Sequence, residues 1–255
     1  MKKDLLQIEL ETQFKWFHAH PELSYQEYET TSRLKKLLKE HDIEILDLPL
    51  DTGLVAIIRG KYPGPVIALR SDIDALPVNE ETDLQWRSKS EGKMHACGHD
   101  FHLTTIYGTA LLLKKQEENI HGTVKLIFQP AEESSLGALK IIESKALDDV
   151  EAIFGIHSSS VFPVGTLGIK AGSITAAVDR FEIKLKGFGT HAAHPQQGKD
   201  PIVALGALIN AIQTIVSRNT DPLSSGVVSI PHVEAGKTWN VIPETAFLEG
   251  TIRTL

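Results

Sequence analysis

Leu6, Leu10, Phe14 and Phe17 recur at helical spacing and predict a helix from about residue 4 to residue 19, stopped by Pro21. Ser24, with Glu27 three residues on, has the form of a capping box, so a second helix is expected to run to about His41. His18 and His20 then read as surface groups that complement the C-terminus of the first helix. Short apolar runs follow at 43–46, 54–58 and 66–69, the last continuous, as in a strand covered on both faces. Residues 103–115 read as a helix with Asp100 as its candidate N-cap. Further buried strands are expected at 124–128 and 152–156, with a helix near 136–144 between them.

Beyond about residue 177 the pattern changes. Phe181, Ile183 and Leu185 alternate with charges, as in a strand with one wet face. Residues 201–218 form a long amphipathic helix, and 227–231 and 247–252 read as two more strands. The order argues for an α/β domain over 1–177, a largely parallel-core mixed sheet flanked by helices. A smaller α+β domain, with a helix on one face, follows over 178–255. Three strands of the first domain run into polar chemistry at their C-terminal ends: Asp72 and Asp74, Glu132 and Glu133, and His157. In open α/β sheets the ligand crevice lies beyond those ends, so these groups are expected to converge.

The net charge is −7 and no Lys/Arg cluster exceeds a few residues, which argues against a nucleic-acid partner. The N-terminus lacks the apolar core of a signal peptide, and no run is expected to approach the length of a membrane span. The single cysteine, Cys97, cannot form an internal disulfide, which favours a reducing, cytoplasmic setting.

Cys97 lies in the stretch 94–102, Met-His-Ala-Cys-Gly-His-Asp-Phe-His, beside His95, His99, Asp100 and His102. In extended chain the side chains of Cys97 and His99 would point the same way, placed to hold one cation or two close together. Gly98 leaves the backbone free to turn. Thiolate, imidazole and carboxylate together suit zinc, manganese or cobalt better than magnesium or calcium. Of the adjacent Glu132 and Glu133, one can ligate while the other takes a proton from water. The reaction class is metal-assisted hydrolysis of an acyl bond.

Several segments carry a resemblance: Arg-Ser-Asp-Ile-Asp-Ala-Leu-Pro at 70–77, the cysteine stretch, Gln-Pro-Ala-Glu-Glu at 129–133, Gly-Ile-His at 155–157, the segment around His191, and 239–243. Over essentially the whole chain they resemble the M20 metallopeptidase family. The likeness is to its amidohydrolase branch of aminoacylase-like, hippurate-hydrolase-like and N-acetyldiaminopimelate-deacetylase-like enzymes. The resemblance implies a zinc-exopeptidase-like catalytic domain, a lid and dimerisation domain, and a homodimer. It implies hydrolysis of the amide bond of a small N-acyl amino acid at two divalent metal ions. By residue, it implies Cys97, His99, Glu133 and His157 as metal ligands and Glu132 as general base. Asp72 would be catalytic, with Asp74 the second choice, aligned with an aspartate that orients a ligand. His191 and Asn240 would steady the oxyanion, His191 reaching the partner's site, and Arg253 would bind the substrate carboxylate.

The chain departs from the family at Gly189-Thr190-His191, where Gly-Gly usually precedes the histidine, and at Ser158, where asparagine often follows the metal histidine. The family's catalytic domain also resumes after the small domain and supplies a last histidine ligand. A C-terminally truncated chain with an incomplete small domain, inactive or nearly so by itself, is therefore expected. The competing readings are a catalytically dead fragment retaining metal binding or subunit contacts and, among enzymes, a dipeptidase or an N-acetyldiaminopimelate deacetylase.

Overall fold

The computed structural model describes residues 4–134 and 136–255. They divide into two units, one ending at Val161 and the other running from Phe162 to Leu255. The change of pattern near residue 177 coincides with the first strand of the second unit rather than with that division.

The first unit runs α1 (Leu5–Ala19), α2 (Tyr28–Glu40), β1 (Glu44–Ile45), β2 (Leu54–Arg59), β3 (Tyr62–Asp72), α3 (His99–Lys114), β4 (His121–Gln129), α4 (Gly137–Glu143) and β5 (Ala152–Gly155). Its sheet has the order β1-β2-β4-β3-β5. Strand β3 is parallel to both β4 and β5, whereas β1 and β2 add on antiparallel. The parallel neighbours are joined through α3 and α4, the crossovers such pairing requires. On one face Phe17, Leu34, Leu38, Leu103 and Tyr107 of the helices close over Ile58, Leu126 and Phe128. On the other, Val55, Ala68 and Ile127 meet Ile141 and Ala146. The register sets Asp72 opposite Gln129 and Arg70 opposite Gly155, so the three C-terminal strand ends lie side by side.

Four local expectations are corrected. All four residues of β5 are exposed: the strand is the edge of the sheet beside β3, and its side chains enter neither hydrophobic cluster. Helix α3 begins at His99, four residues earlier than its apolar periodicity, and follows Gly98 at φ 87°. Asp100 therefore sits in the first turn and is not the cap. Glu27 occupies the N-cap position of α2 with no side-chain cap bond; the Glu22 carboxylate accepts the N–H groups of Glu29 (3.0 Å) and Thr30 (2.8 Å) instead. His18 is buried, not a surface group, and lies between Asp100 (2.6 Å) and Glu80 (3.2 Å). Its neighbour His20 donates from Nδ1 to the Trp16 carbonyl (2.6 Å) and stacks on that indole.

The second unit contains β6 (Ala177–Lys186), β7 (Thr190–His191), α5 (Pro201–Thr214), β8 (Gly226–Ala235), β9 (Val241–Ile242) and β10 (Thr245–Thr254). Strands β6, β10 and β8 form an antiparallel sheet in that order, and β7 pairs with β9. The Asp200 carboxylate caps α5 by accepting the Ile202 N–H (2.8 Å), with Pro201 at the first helical position. Leu205, Leu208 and Ile209 pack against Phe181, Ile183, Leu185 and Leu248. With the π-helical turn that extends it, the run Pro201–Asn219 is long and apolar enough, by length and composition alone, to cross a membrane. This departs from the expectation that no run reaches that length, although a helix laid on a sheet meets the same criterion.

Candidate metal centre

The three strand ends and the start of α3 deliver the site. Gly98 makes the decisive turn. At φ 87° it is in the left-handed region, and a Cβ there would run into the Ser158 hydroxyl. It is this turn, rather than the extended chain expected, that brings Cys97 beside His99. Cys97 Sγ lies 3.4 Å from His157 Nε2. His157 donates from Nδ1 to the Ser158 carbonyl (2.7 Å), which leaves the Nε2 lone pair facing the sulfur.

His99 occupies the centre. Its ring is fully buried, and Nδ1 donates to the Asp74 carbonyl oxygen (2.9 Å) with Asp74 Oδ1 at 3.3 Å. Nε2 is thereby left as an acceptor with no hydrogen-bond donor. Around it stand Asp72 Oδ2 (3.7 Å), Glu133 Oε1 (3.8 Å) and Glu132 Oε2 (3.9 Å). Glu133 Oε1 is likewise buried without a partner. Ligand atoms of Cys97, His99 and His157 lie within 4.8 Å of one another, as do those of His99, Glu132 and Glu133. A third such group joins Asp72, His99 and His102, so all three groups share His99. Buried acceptors without donors are costly unless something positive meets them, and the residues present fit divalent cations.

The electrostatics point the same way. Burial, then the Glu133 charge, pushes the Cys97 thiol up to about 12. A divalent cation among these groups would offset those charges and favour the thiolate. Burial, together with the neighbouring Glu132 charge, also raises the Glu133 carboxyl.

The two aspartates do different work, and each is only 1% exposed. Asp74 Oδ2 accepts the Ser24 hydroxyl (2.7 Å) and the Glu133 N–H (3.0 Å), so its carboxylate touches both His99 and the glutamate turn. Burial opposes its charge, but the hydrogen bonds from His99, Ser24 and Glu133 outweigh it and lower its pKa. Asp72 pairs with Arg70 (2.7 Å) and accepts His102 Nδ1–H (2.7 Å). Burial again opposes, and the His102 bond with the His99 and Arg70 charges holds Asp72 at about 2. His102 Nε2 accepts the Ser158 N–H (2.8 Å), so both nitrogens of that ring are engaged. This chain from Asp72 through His102 fixes the backbone that carries His157.

His95 is 4% exposed, has no hydrogen-bond partner on either nitrogen, and is pushed down to about 4 by burial. It belongs to no ligand group among the described residues. His191, Asn240 and Arg253 lie in the second unit. The ladder of β7 and β9 sets His191 opposite Val241, and Ala192 N–H donates to the Asn240 carbonyl (3.0 Å). Arg253 is exposed on β10. Ser24, His18 and His102 were not among the expected site residues. The spacing of His99 and His102, three apart on one helical face, is the signal that would have found His102.

Residues 68–247 match the model of peptidase family M20/M25/M40. The chain is 54% identical over 238 residues to the N-acetylcysteine deacetylase of Bacillus subtilis, covering 93% of this chain and 63% of that protein. It is 44% identical over 236 residues to the IAA-amino acid hydrolase ILR1-like 2 of Arabidopsis thaliana, covering 92% and 54%. Among solved structures, a Bacillus subtilis protein described as a dinuclear metal-binding peptidase from the M20 family superposes with a TM-score of 0.84 at 48% identity, covering 98% of this chain and 64% of that one. The chain thus spans less than two thirds of the length of these relatives.

Proposed function

The chain belongs to peptidase family M20/M25/M40, and on that premise we propose that it serves the metal-dependent hydrolysis of the amide bond of small N-acyl amino acids. The observation that carries this reading is the fully buried, unpaired Nε2 of His99. It is flanked by Cys97 and His157 in one group, by Glu132 and Glu133 in a second and by Asp72 and His102 in a third. Cys97, His99, Glu133 and His157 would hold a pair of divalent ions of zinc, manganese or cobalt character. Such ions, when bound, supply Lewis acidity that acidifies a water and polarises the scissile carbonyl.

The chain's own residues do the rest. Glu132, the more exposed of the glutamate pair, takes the proton from the attacking water and passes it to the amine nitrogen as the C–N bond breaks. Asp74 keeps His99 in the tautomer whose Nε2 lone pair faces the centre. Asp72 acts through His102 on the position of His157. The reading assigns oxyanion contacts to His191 and Asn240 and the substrate carboxylate to Arg253, in a homodimer. A reducing, cytoplasmic setting completes it, because there Cys97 stays available as a ligand.

Two variants test this. Made in an active full-length relative, Glu132→Gln should lower kcat about 10²–10⁴-fold, the usual cost of losing a general base, and leave metals per chain unchanged. Cys97→Ala should lower metal content, which a merely buried cysteine would not. Near-normal turnover in the first, or unchanged metal stoichiometry in the second, would refute the corresponding role.

A further inference from the structure

Glu27 is a charged residue with no assigned work. It is 0% exposed, burial raises its pKa against the Thr52 side chain and the Ala131 amide that favour its charge, and the α2 cap it was expected to build is made by Glu22. Its Oε1 accepts the backbone N–H of Ala131, 104 residues away, at 2.7 Å. Ala131 is one of the few non-glycine residues at positive φ, 52°, a region unfavourable for a side chain bearing a Cβ. It stands immediately before Glu132 and Glu133.

The next captured amide on this turn is that of Glu133, held by Asp74 Oδ2 at 3.0 Å. The peptide carrying Glu132 is therefore gripped on both sides by buried carboxylates, one from the start of α2 and one from the end of β3. The turn is closed beyond it as well. Ser134 Oγ (2.9 Å) and the Gly137 N–H (3.2 Å) both donate to the Ala131 carbonyl, and a Cβ at Gly137 would strike the Pro130 carbonyl.

We propose that Glu27 is a positioning residue for the hydrolytic site: by holding the Ala131 amide in its left-handed conformation it sets where Glu132 and Glu133 point. The proposal rests on the roles given above to those two glutamates. A buried carboxylate is a costly way to stabilise a fold. A hydrogen bond to charge is, however, strong enough to keep an unfavourable φ populated.

The test compares Glu27→Leu, Glu27→Asp, Glu27→Gln and the double variant Glu27→Leu/Ala131→Gly, all in the full chain. It reads zinc affinity by chelator competition on this chain and, with the same changes made in an active full-length relative, kcat and KM on N-acetyl amino acids. Leu keeps the volume and removes the acceptor. It should raise the zinc dissociation constant 10–100-fold and lower kcat about 10²-fold with little change in KM. Asp keeps the charge and withdraws the acceptor by a methylene, so it should fall between Leu and wild type even if the Leu variant proves insoluble. Gln retains a carbonyl acceptor without the charge and should lose less zinc affinity than Leu. Glycine at 131 adopts positive φ freely and should restore part of what Leu loses. Wild-type zinc affinity and kcat in the Leu or Asp variant, with only a lower melting temperature, would overturn the proposal. So would a double variant no better than Glu27→Leu. Wild-type protein that binds none of zinc, manganese and cobalt would instead sink the hydrolase reading itself, and the proposal with it.

Discussion

Replacing Asp74 by asparagine should separate the two jobs its carboxylate performs. The group accepts from three sides: Ser24 Oγ (2.7 Å) and Glu133 N (3.0 Å) on Oδ2, with His99 Nδ1 (3.3 Å) beside Oδ1. An amide can accept on one side only. The less costly orientation keeps the oxygen on Ser24 and Glu133 and turns the NH₂ toward His99, whose Nδ1–H still has the Asp74 carbonyl at 2.9 Å. Two charge-assisted bonds then become neutral, at about 1 kcal/mol each, and donor faces donor at His99. Unfolding in urea of the metal-free protein should show a loss of about 2–3 kcal/mol for Asp74→Asn. Alanine leaves two buried donors unpaired and should cost about 4 kcal/mol. Ser24→Ala removes one donor and should cost about 2 kcal/mol. Because His99 loses part of its orientation, zinc competition should show 10–100-fold weaker binding for Asp74→Asn. An asparagine variant as stable as wild type would refute the hydrogen-bond account. Lost stability with unchanged zinc affinity would refute the orienting role.

In a full-length relative, Arg253→Ala should raise KM for N-acyl amino acids about 10–100-fold, the worth of a charge-assisted pair, and spare the corresponding N-acyl amino acid amides; equal effects on both would remove the carboxylate role. The Asp100 hydrogen bond, opposed by burial and helped by Glu80, raises His18 above its ordinary value of 6.5. The stability lent by that pairing is fully present below pH 6.5 and is lost as pH rises through the higher folded-state value. The urea midpoint of wild type should therefore decline toward alkaline pH more steeply than that of His18→Gln, and parallel profiles would show that His18 is neutral in the fold.

What was legible in the sequence is the part carried by long hydrophobic patterns and by their interruption. Runs that end in Asp72, Glu132 and His157 became parallel strands with adjacent ends because an apolar run followed by a helical period leaves few topologies. Burial of β5 was misjudged because an unbroken apolar run describes the residues of a strand and not its neighbours; only pairing decides whether it is an edge. The start of α3 was placed late for a related reason. Its first turn, His99 to His102, is polar where a core helix is usually apolar, so periodicity begins only at Leu103. That first turn is polar because it faces Asp72, Asp74 and Asp100's partner His18.

The residues read as a capping box show where such inference stops. Ser24 and Glu27 have the spacing of a local device, and every local test for one is met. Yet Ser24 donates across 50 positions to Asp74 and Glu27 accepts across 104 positions from Ala131. A hydroxyl and a carboxylate that can satisfy a helix terminus can equally satisfy any donor or acceptor the fold brings near. Which of these happens depends on the competition between partners at the helix end. Here Glu22 supplies that end first, with two bonds, and frees the other two side chains for the interior. Once freed, Glu27, fully buried, and Ser24, half-buried, each bond to a backbone or carboxylate group of the metal-site loops, because those loops carry the amides and charges that the sheet and helices leave unpaired. The segment between α1 and α2, which has no ligand of its own, is therefore bound to the geometry of the site as closely as the strands that end in it.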